Sequence, residues 1–261
     1  MSKNRFDLSD KHVLVTGTGS GMGASICEAM AESGADVVCV DIIEKAAQAT
    51  VNKISHYGHK AVPVKADAFE EADIKRMITT TIAELGSIDV VFAHAAIVDT
   101  TPTRLHDLSI DDWDRIASRY IRGIFMTMKF VFPIMMEQKS GSFITTSAAT
   151  GFWPLPPVGT LHMAVPYITG KAAAIMLTKL AAKHYGEFGV RANIICPGYH
   201  RSQHHIEGPF LEEMEKFVLD CTSLKRVGLP DDIKGLAIFL ASDASSFITG
   251  QIFTEDGGMM V

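Results

Sequence analysis

The sequence predicts an α/β fold, a doubly wound three-layer sandwich in which a seven-stranded parallel sheet lies between two layers of helices. Two observations lead to this prediction. Short apolar runs alternate with longer stretches of helical periodicity along the 261 residues, and this alternation is typical of repeated βαβ units. In addition, 47% of the residues are hydrophobic, enough for a large core, so we expect one domain over residues 1–261.

The elements follow from this alternation. The apolar runs predict strands at 11–16, 36–40, 60–65, 88–93, 141–146, 191–196 and 251–254. The helical stretches are 22–33, 44–56, 70–85, 111–138, 163–188 and 231–241. A loop near 148–166 and a lid near 200–220 remain. Ligands bind beyond the carboxyl ends of the strands in such sheets, so we expect these two segments to form a substrate pocket.

Composition narrows the choice of partners and location. The formal charge is −6 and no block of Lys or Arg occurs, so nucleic acid is not an expected partner. The first ten residues are polar, and no apolar run reaches membrane-spanning length, which predicts a cytoplasmic protein without a membrane partner. The four cysteines are far apart, so we interpret them as reduced apolar residues.

A glycine-rich turn follows the first strand, with Thr-Gly-Thr-Gly-Ser-Gly-Met-Gly at positions 16–23. Glycines at this point permit a tight turn and allow backbone amides at a helix N-terminus to approach a pyrophosphate. Such a turn is weak evidence alone, but its place between the first strand and the first helix favours dinucleotide binding. The candidate residues are Gly17, Ser20, Gly21, Met22 and Gly23.

Two acidic residues follow the next strands. A carboxylate at Asp41 can accept hydrogen bonds from both adenosine ribose hydroxyls while repelling a 2′-phosphate, which favours NAD over NADP. Ile42 supports this preference because an NADP enzyme usually places a basic residue there. Asp67, followed by Ala68, is expected to bind the adenine amino group. Each aspartate has an alternative interpretation as a cap of the helix that follows it.

The candidate catalytic pair is Tyr167 and Lys171. Their spacing of four places both side chains on one face of a helix. An ammonium group near a phenol stabilises the phenolate, so we expect Lys171 to lower the pKa of Tyr167 into a range useful for acid/base catalysis.

Together, these motifs resemble the short-chain dehydrogenase/reductase family, which has a Rossmann-type fold. The resemblance covers nearly the whole chain and includes Pro197-Gly198 and the closing Asp256-Gly257-Gly258. It implies that Tyr167 is the acid/base, that Lys171 binds the nicotinamide ribose and lowers the tyrosine pKa, and that hydride moves to or from nicotinamide C4. It further implies that Pro197 and Gly198 flank the nicotinamide, that Ser202 contacts its carboxamide, and that the chain forms a homotetramer.

The sequence departs from the family pattern at three positions. The usual Asn-Asn-Ala-Gly is Ala93-His94-Ala95-Ala96 here; Ala95 can still offer backbone groups to the cofactor, and His94 either faces the pocket or fills space beneath the sheet. Tyr120 replaces the active-site Asn that helps hold a water on the lysine. Its two interpretations are a tyrosine packed between helices and a new catalytic role, and we include it as a tentative substrate contact.

The third departure concerns the catalytic serine. An ungapped count places Ala148 where the family has it, with Ser147 one residue early. Strand residues alternate faces, so Ser147 reaches the site only if a bulge or the loop re-aims it. We predict this re-aiming because the following segment is longer than usual.

The remaining candidates line the expected pocket. Trp153, in a proline-rich segment, either forms a pocket wall for a cyclic or bulky substrate or packs on another subunit. His200 is a tentative substrate contact. We expect no metal site at this residue and its neighbours His162, His204 and His205, because they lack a defined ligand geometry.

The sequence therefore predicts an NAD-dependent oxidoreductase that interconverts a secondary alcohol and a ketone. Two alternatives are motivated by Ala148 and Tyr120: a non-redox isomerase, cyclase or lyase that retains NAD, and a non-catalytic NAD-binding protein.

Overall fold

The sheet has the predicted architecture. The computed structural model describes residues 4–97, 104–152, 165–201 and 209–261, without the side chains at 209–211 and 214. Seven strands form one sheet in the order β3-β2-β1-β4-β5-β6-β7, and every pairing is parallel. The strands are β1 His12–Thr16, β2 Asp36–Asp41, β3 Ala61–Lys65, β4 Val90–Ala93, β5 Gly141–Thr146, β6 Val190–Pro197 and β7 Ile252–Glu255. The fold class is confirmed.

Helices cover both faces of this sheet. In the described part of the chain they are α1 Gly21–Glu32, α2 Glu44–Ile54, α3 Glu71–Leu85, α4 Ile110–Trp113, α5 Arg119–Gln138, α6 Val165–Tyr185, α7 Pro209–Cys221 and α8 Lys234–Ala241. None of these helices combines the length and the apolar character needed to cross a lipid bilayer. Cys27, Cys39 and Cys196 are buried free thiols, whereas Cys221 is exposed.

The alternation of side chains along the strands builds a separate core on each face. Val13 and Val15 of β1 pack into a core with α1 and α8, while Leu14 between them enters the core formed with α3, α5 and α6. Since both faces are covered, each inner strand must be apolar at successive positions. This requirement explains why the strands are recognisable in the sequence as continuous apolar runs.

The predicted helix at 111–138 is interrupted. A π-helical turn, Asp114–Ser118, separates α4 from α5. The extra residue of a π turn displaces the following side chains around the helix axis, and such turns are frequent at functional sites. Tyr120 lies in the first turn of α5, directly after this interruption.

The strand order reverses between β1 and β4, where the chain leaves in opposite directions from the two neighbouring strands. A crevice forms beyond the carboxyl ends of the strands at such a switch point. Here the Thr16 hydroxyl, at the end of β1, accepts hydrogen bonds from the backbone N–H groups of His94 and Ala95, each at 3.1 Å. These bonds fix the segment after β4 against the start of the glycine-rich turn.

Candidate active site

The glycine-rich turn is too closely packed for other residues. Gly17 has a φ of 74°, and a Cβ added there would lie 2.8 Å from the Ala95 Cα. A Cβ on Gly23 would lie 2.0 Å from the carbonyl oxygen of Gly17, closer than any non-bonded contact allows. Helix α1 can therefore begin directly against the turn only because these positions lack side chains.

The N-terminus of α1 is suited to an anion. The side chain of Ser20, the N-cap residue, makes no capping hydrogen bond, and the first turn of the helix, beginning with Gly21 and Met22, contains no acidic residue. Backbone N–H groups at a helix N-terminus carry partial positive charge and lack intrahelical acceptors. The turn and the helix end thus fit the pyrophosphate of a dinucleotide.

Asp41 lies at the edge of this turn. Its carboxylate accepts hydrogen bonds from the backbone N–H groups of Gly19 at 2.8 Å and Ile43 at 2.9 Å. These bonds hold the carboxylate beside the turn. If the pyrophosphate of a dinucleotide bound at the N-terminus of α1, its adenosine ribose would be expected near this carboxylate. The contact with Ile43, the N-cap residue of α2, also gives Asp41 part of the alternative capping role. Ile42 is exposed and leaves the space around the carboxylate open.

Asp67 is committed to other partners. One carboxylate oxygen accepts from the Phe69 N–H at 2.9 Å, and the other accepts from the Arg119 guanidinium at 2.5 Å. The residue does not cap α3, because the N-cap is Glu70. Arg119 therefore ties the loop after β3, which contains Ala68, to the start of α5.

His94 packs at the carboxyl ends of the central strands. Its Nδ1 lies 3.1 Å from the Thr146 hydroxyl, and its Cδ2 would lie 3.1 Å from a Cβ on Gly23. Burial, followed by the charge of Lys171, lowers the pKa of His94 to about 3, so the ring is neutral at physiological pH. His94 is half-buried, and these contacts link the glycine-rich turn to the end of β5.

Tyr167 and Lys171 project from the same face of α6. The Lys171 Nζ lies 5.5 Å from the centroid of the Tyr167 ring. Lys171 is 2% exposed, an unusual burial for an amine, and its ammonium donates to the backbone carbonyl of Thr146 at 2.8 Å. The helical spacing thus brings the phenol and the amine together at the end of β5.

The pKa of Tyr167 is not lowered as expected. Burial raises it to about 12, and burial also lowers the pKa of Lys171 to about 7. The physical reason is that both groups leave water while the ammonium directs its hydrogen bonds to other partners. Our expectation of an acidic phenol was therefore wrong for this arrangement, in which Tyr167 is a protonated donor at neutral pH.

Tyr120 is one of the hydrogen-bond partners of the Lys171 ammonium. Its hydroxyl accepts a hydrogen bond from the Lys171 ammonium at 3.0 Å and donates one to the Thr146 carbonyl at 3.2 Å. The side chain is 3% exposed, so it does not offer a surface to a substrate as we had tentatively expected. The π turn before α5 and the packing of the ring against Phe69 direct it inward.

Ser147 does not turn toward the phenol. Its hydroxyl donates to the backbone carbonyl of Lys171 at 2.8 Å, and the residue is buried. Thr145, two residues earlier, likewise contacts α6 through the Thr178 hydroxyl, so the alternation of the strand continues unbroken. Without a bulge, the predicted re-aiming does not occur, and this geometry argues against a catalytic role for Ser147. Ala148 occupies the next position.

We therefore predict that Ser147→Ala lowers stability rather than chemistry. The variant leaves a buried carbonyl without its hydroxyl donor, and we expect the free energy of unfolding to fall by about 1–2 kcal/mol. Urea denaturation measures this change, with the exposed Ser246→Ala as the control. An unchanged unfolding midpoint would contradict the structural role.

His200 is also placed differently from our expectation. Its side chain is 3% exposed, its Nε2 lies 2.9 Å from a Glu255 carboxylate oxygen, and its Nδ1 lies 3.2 Å from the Gly198 carbonyl. Burial alone would lower its pKa, but the hydrogen bond and charge of Glu255 outweigh this effect and raise it. With both ring nitrogens engaged inside the protein, His200 is not a substrate contact.

His200 belongs to a group of three side chains of the types that commonly bind metal ions. Among the described residues, ligand atoms of His200, Asp232 and Glu255 lie within 4.8 Å of one another. However, both carboxylate oxygens of Asp232 accept from the guanidinium of Arg226. The group is therefore a network of ion pairs that fixes the segment after β6 to the end of β7.

Only some of the other candidate cofactor and substrate residues lie in the part of the chain that the structure describes. β6 ends at Pro197, and Gly198 donates its N–H to the Glu255 carbonyl at 2.9 Å. Several candidates lie outside the described residues: Ser202, Trp153, His162, His204 and His205. Most of the proposed substrate loop, and the start of the proposed lid, lie outside them too.

Sequence reasoning missed two participants. The Thr146 carbonyl accepts from both Lys171 and Tyr120, and Arg119 holds Asp67. The only signal for Thr146 was its position at the carboxyl end of a central strand. A backbone acceptor has no residue-type signature, so this role could not be recognised.

The chain matches a known family over most of its length. A family model described as enoyl-(acyl carrier protein) reductase matches residues 17–260. The chain is 32% identical to a 2,5-dichloro-2,5-cyclohexadiene-1,4-diol dehydrogenase from Sphingobium indicum, covering 97% of this chain and 98% of that protein. It is 30% identical to a cyclohexanol dehydrogenase from an Acinetobacter species, covering 97% and 96%.

Comparison with solved structures gives the same result. A short-chain type dehydrogenase/reductase from Mycobacterium marinum superposes with a TM-score of 0.89 at 31% identity, covering 98% of this chain and 97% of that one. A 7α-hydroxysteroid dehydrogenase, complexed with NADH and 7-oxo glycochenodeoxycholic acid, superposes with a TM-score of 0.89 at 29% identity, covering 99% and 97%. Together with the switch-point crevice, the glycine-rich turn and the Tyr167/Lys171 pair, these matches show that the chain belongs to the short-chain dehydrogenase/reductase family of oxidoreductases.

Proposed function

We propose that this chain is an NAD(H)-dependent oxidoreductase that interconverts a secondary alcohol and a ketone on a cyclic or bulky small molecule. The observation that carries the proposal is the pair of half-buried Tyr167 and buried Lys171 at the carboxyl end of β5. Contacts through Thr146 and His94 connect this pair to the glycine-rich turn. A phenol, an amine and a dinucleotide cradle are thus components of one crevice.

The preference for NAD rests on charge. The Asp41 carboxylate lies beside the turn, and a carboxylate there repels a 2′-phosphate and accepts bonds from ribose hydroxyls. Ile42, the next residue, supplies no positive charge. The solved hydroxysteroid dehydrogenase with NADH is a relative that binds this form of the cofactor.

Each residue of the pair has a defined task. A nicotinamide held at the glycine-rich turn would supply the hydride chemistry. Tyr167 transfers the accompanying proton at the substrate oxygen, and Lys171 supplies a positive charge beside the phenol. Because burial raises the pKa of Tyr167 to about 12, its phenol is already protonated at neutral pH. It is therefore ready to protonate a carbonyl oxygen, whereas alcohol oxidation requires the phenol to lose its proton first.

The proposed substrate class comes from the relatives together with the site. Two curated relatives are named for cyclic alcohols, and the solved hydroxysteroid dehydrogenase contains a fused-ring ketone. An apolar ring with a single hydroxyl needs only one acid/base residue at the reacting oxygen. Such a molecule matches a crevice whose described polar groups are mostly engaged with one another.

A substrate panel tests this function. Purified protein with NAD is mixed with cyclohexanol, cyclic diols and hydroxysteroids, with linear secondary alcohols as matched comparators, and the absorbance of reduced cofactor is followed. We expect cyclic alcohols to react fastest, oxidation to accelerate as pH rises, and reduction of the matching ketones to be favoured near neutral pH. If NAD binds and no member of a broad panel reacts, the redox function is wrong.

The proposal includes a homotetramer. Apolar side chains remain exposed on the two long helices: Phe125 on α5, and Met176 and Leu180 on α6. Exposed apolar residues on helices that pack together favour burial against another subunit. A surface shared by α5 and α6 is the one expected to pair.

A further inference from the structure

We propose that Tyr120 is a positioning residue for Lys171: its hydroxyl and ring hold the Lys171 amine beside Tyr167 and favour the charged form of that amine. This inference rests on the proposed function and assigns a task to one of the three positions at which the sequence departs from the family pattern.

The geometry around the amine carries the inference. The Lys171 Nζ donates to the Tyr120 hydroxyl at 3.0 Å and to the Thr146 carbonyl at 2.8 Å, and it lies 4.7 Å from the centroid of the Tyr120 ring. The Tyr120 hydroxyl in turn donates to the same carbonyl. The three groups therefore form a closed triangle of hydrogen bonds, in which the Thr146 carbonyl accepts from both side chains and the Tyr120 hydroxyl accepts from the Lys171 amine.

The ring is fixed in place by its surroundings. Tyr120 is 3% exposed and its ring lies 5.8 Å from that of Phe69. On the other side, Gly170 approaches so closely that a Cβ there would lie 3.0 Å from the Tyr120 ring carbon Cδ1. Gly170 lies on α6 between Tyr167 and Lys171, so the catalytic helix itself leaves room for this tyrosine.

Tyr120 does not itself exchange a proton near neutral pH. Burial, with contributions from Tyr167 and Cys196, raises its pKa well above the ordinary value. The hydroxyl therefore stays neutral and can accept from the ammonium while donating to Thr146. Among the residues that the structure describes, the other titratable groups near Lys171 are Tyr167 on α6, Cys196 on β6 and His94 after β4.

The consequence for catalysis follows from counting protons. One proton shared by the pair has two arrangements: an ammonium with a phenolate, or a neutral amine with a neutral phenol. Proton removal from an alcohol requires the first arrangement. The acceptor oxygen and the ring of Tyr120 stabilise the ammonium in the first arrangement and offer much less to the neutral amine. Tyr120 thus offsets part of the burial that pulls the pKa of Lys171 down.

The test removes the hydroxyl alone. Tyr120→Phe keeps the ring, and the Thr146 carbonyl keeps its bond from Lys171, so the variant should remain folded. Tyr185→Phe is the matched control, because Tyr185 is a half-buried tyrosine on α6 whose ring packs on Phe132. Melting temperatures of both variants establish that the fold is retained.

The first measurement does not depend on activity. The lysine side chains are labelled with carbon-13 at Cε, and the Lys171 signal is assigned by its loss in Lys171→Met. We expect the titration midpoint of Lys171 to fall by about one pH unit or more in Tyr120→Phe and to stay unchanged in Tyr185→Phe. An unchanged midpoint in Tyr120→Phe would overturn the proposal.

The second measurement uses turnover of an alcohol identified by the panel. We expect the plateau kcat of Tyr120→Phe to fall about tenfold or more, KM to remain within about twofold, and the apparent pKa of the rate profile to move down. A rise in KM alone, with kcat retained, would also overturn the proposal. If the wild-type protein has no turnover, the proposed function fails while the lysine titration still decides the role of Tyr120.

Discussion

The Tyr167→Phe variant is expected to lose turnover by a factor of about 10² to 10⁴ while still binding NAD. The change removes one oxygen atom, the only group of this side chain able to transfer a proton. The ring remains beside Lys171, whose hydrogen bonds go to Tyr120 and Thr146 and are not disturbed. Steady-state kcat with the best alcohol of the panel measures the loss, and quenching of protein fluorescence measures cofactor binding.

The matched control is again Tyr185→Phe, at the far end of the same helix. It should retain wild-type kcat. If Tyr167→Phe kept more than about a tenth of the turnover, the proton would have to reach the substrate by another route. If it also lost NAD binding, the loss of turnover would follow from the missing cofactor and would not support an acid/base role for Tyr167.

Replacement of Asp41 should change the choice between NAD and NADP by about 10²-fold or more. Asp41→Asn removes the charge that repels a 2′-phosphate and weakens the charge-assisted bonds to the ribose hydroxyls. Combined with Ile42→Arg, it also offers a guanidinium to the phosphate. Ile42 is 59% exposed, so the arginine meets no packing obstacle. The ratio of kcat/KM values for the two cofactors measures the effect.

Asp36→Asn is the control for this experiment. Asp36 begins the same strand that Asp41 ends, and its carboxylate accepts from the Lys60 N–H at the opposite end of the sheet. The control should preserve the cofactor ratio. If the ratio were also unchanged in Asp41→Asn/Ile42→Arg, the adenosine ribose would not meet this carboxylate, and the preference for NAD would need another explanation.

Much of the fold could be predicted from local sequence. A strand buried on both faces must be apolar throughout, as β1 is at Val13, Leu14 and Val15, and such runs are visible without any knowledge of their partners. A turn that approaches a helix end requires glycine, as at Gly17 and Gly23. A spacing of four on a helix places Tyr167 and Lys171 together because helical geometry is local.

The tertiary structure decided the rest of the site. Ser147 contacts the Lys171 carbonyl, 24 residues away; Lys171 contacts Tyr120, 51 residues away; and His200 contacts Glu255, 55 residues away. Each partner is selected by how α5, α6 and β7 pack on the sheet, and no periodicity within one segment encodes that packing. The pKa values of Tyr167 and Lys171 also depend on burial, which neighbouring elements create. The sequence by itself therefore determined which chemical groups are present and which elements carry them, whereas long-range packing decided which groups touch and which of them are charged.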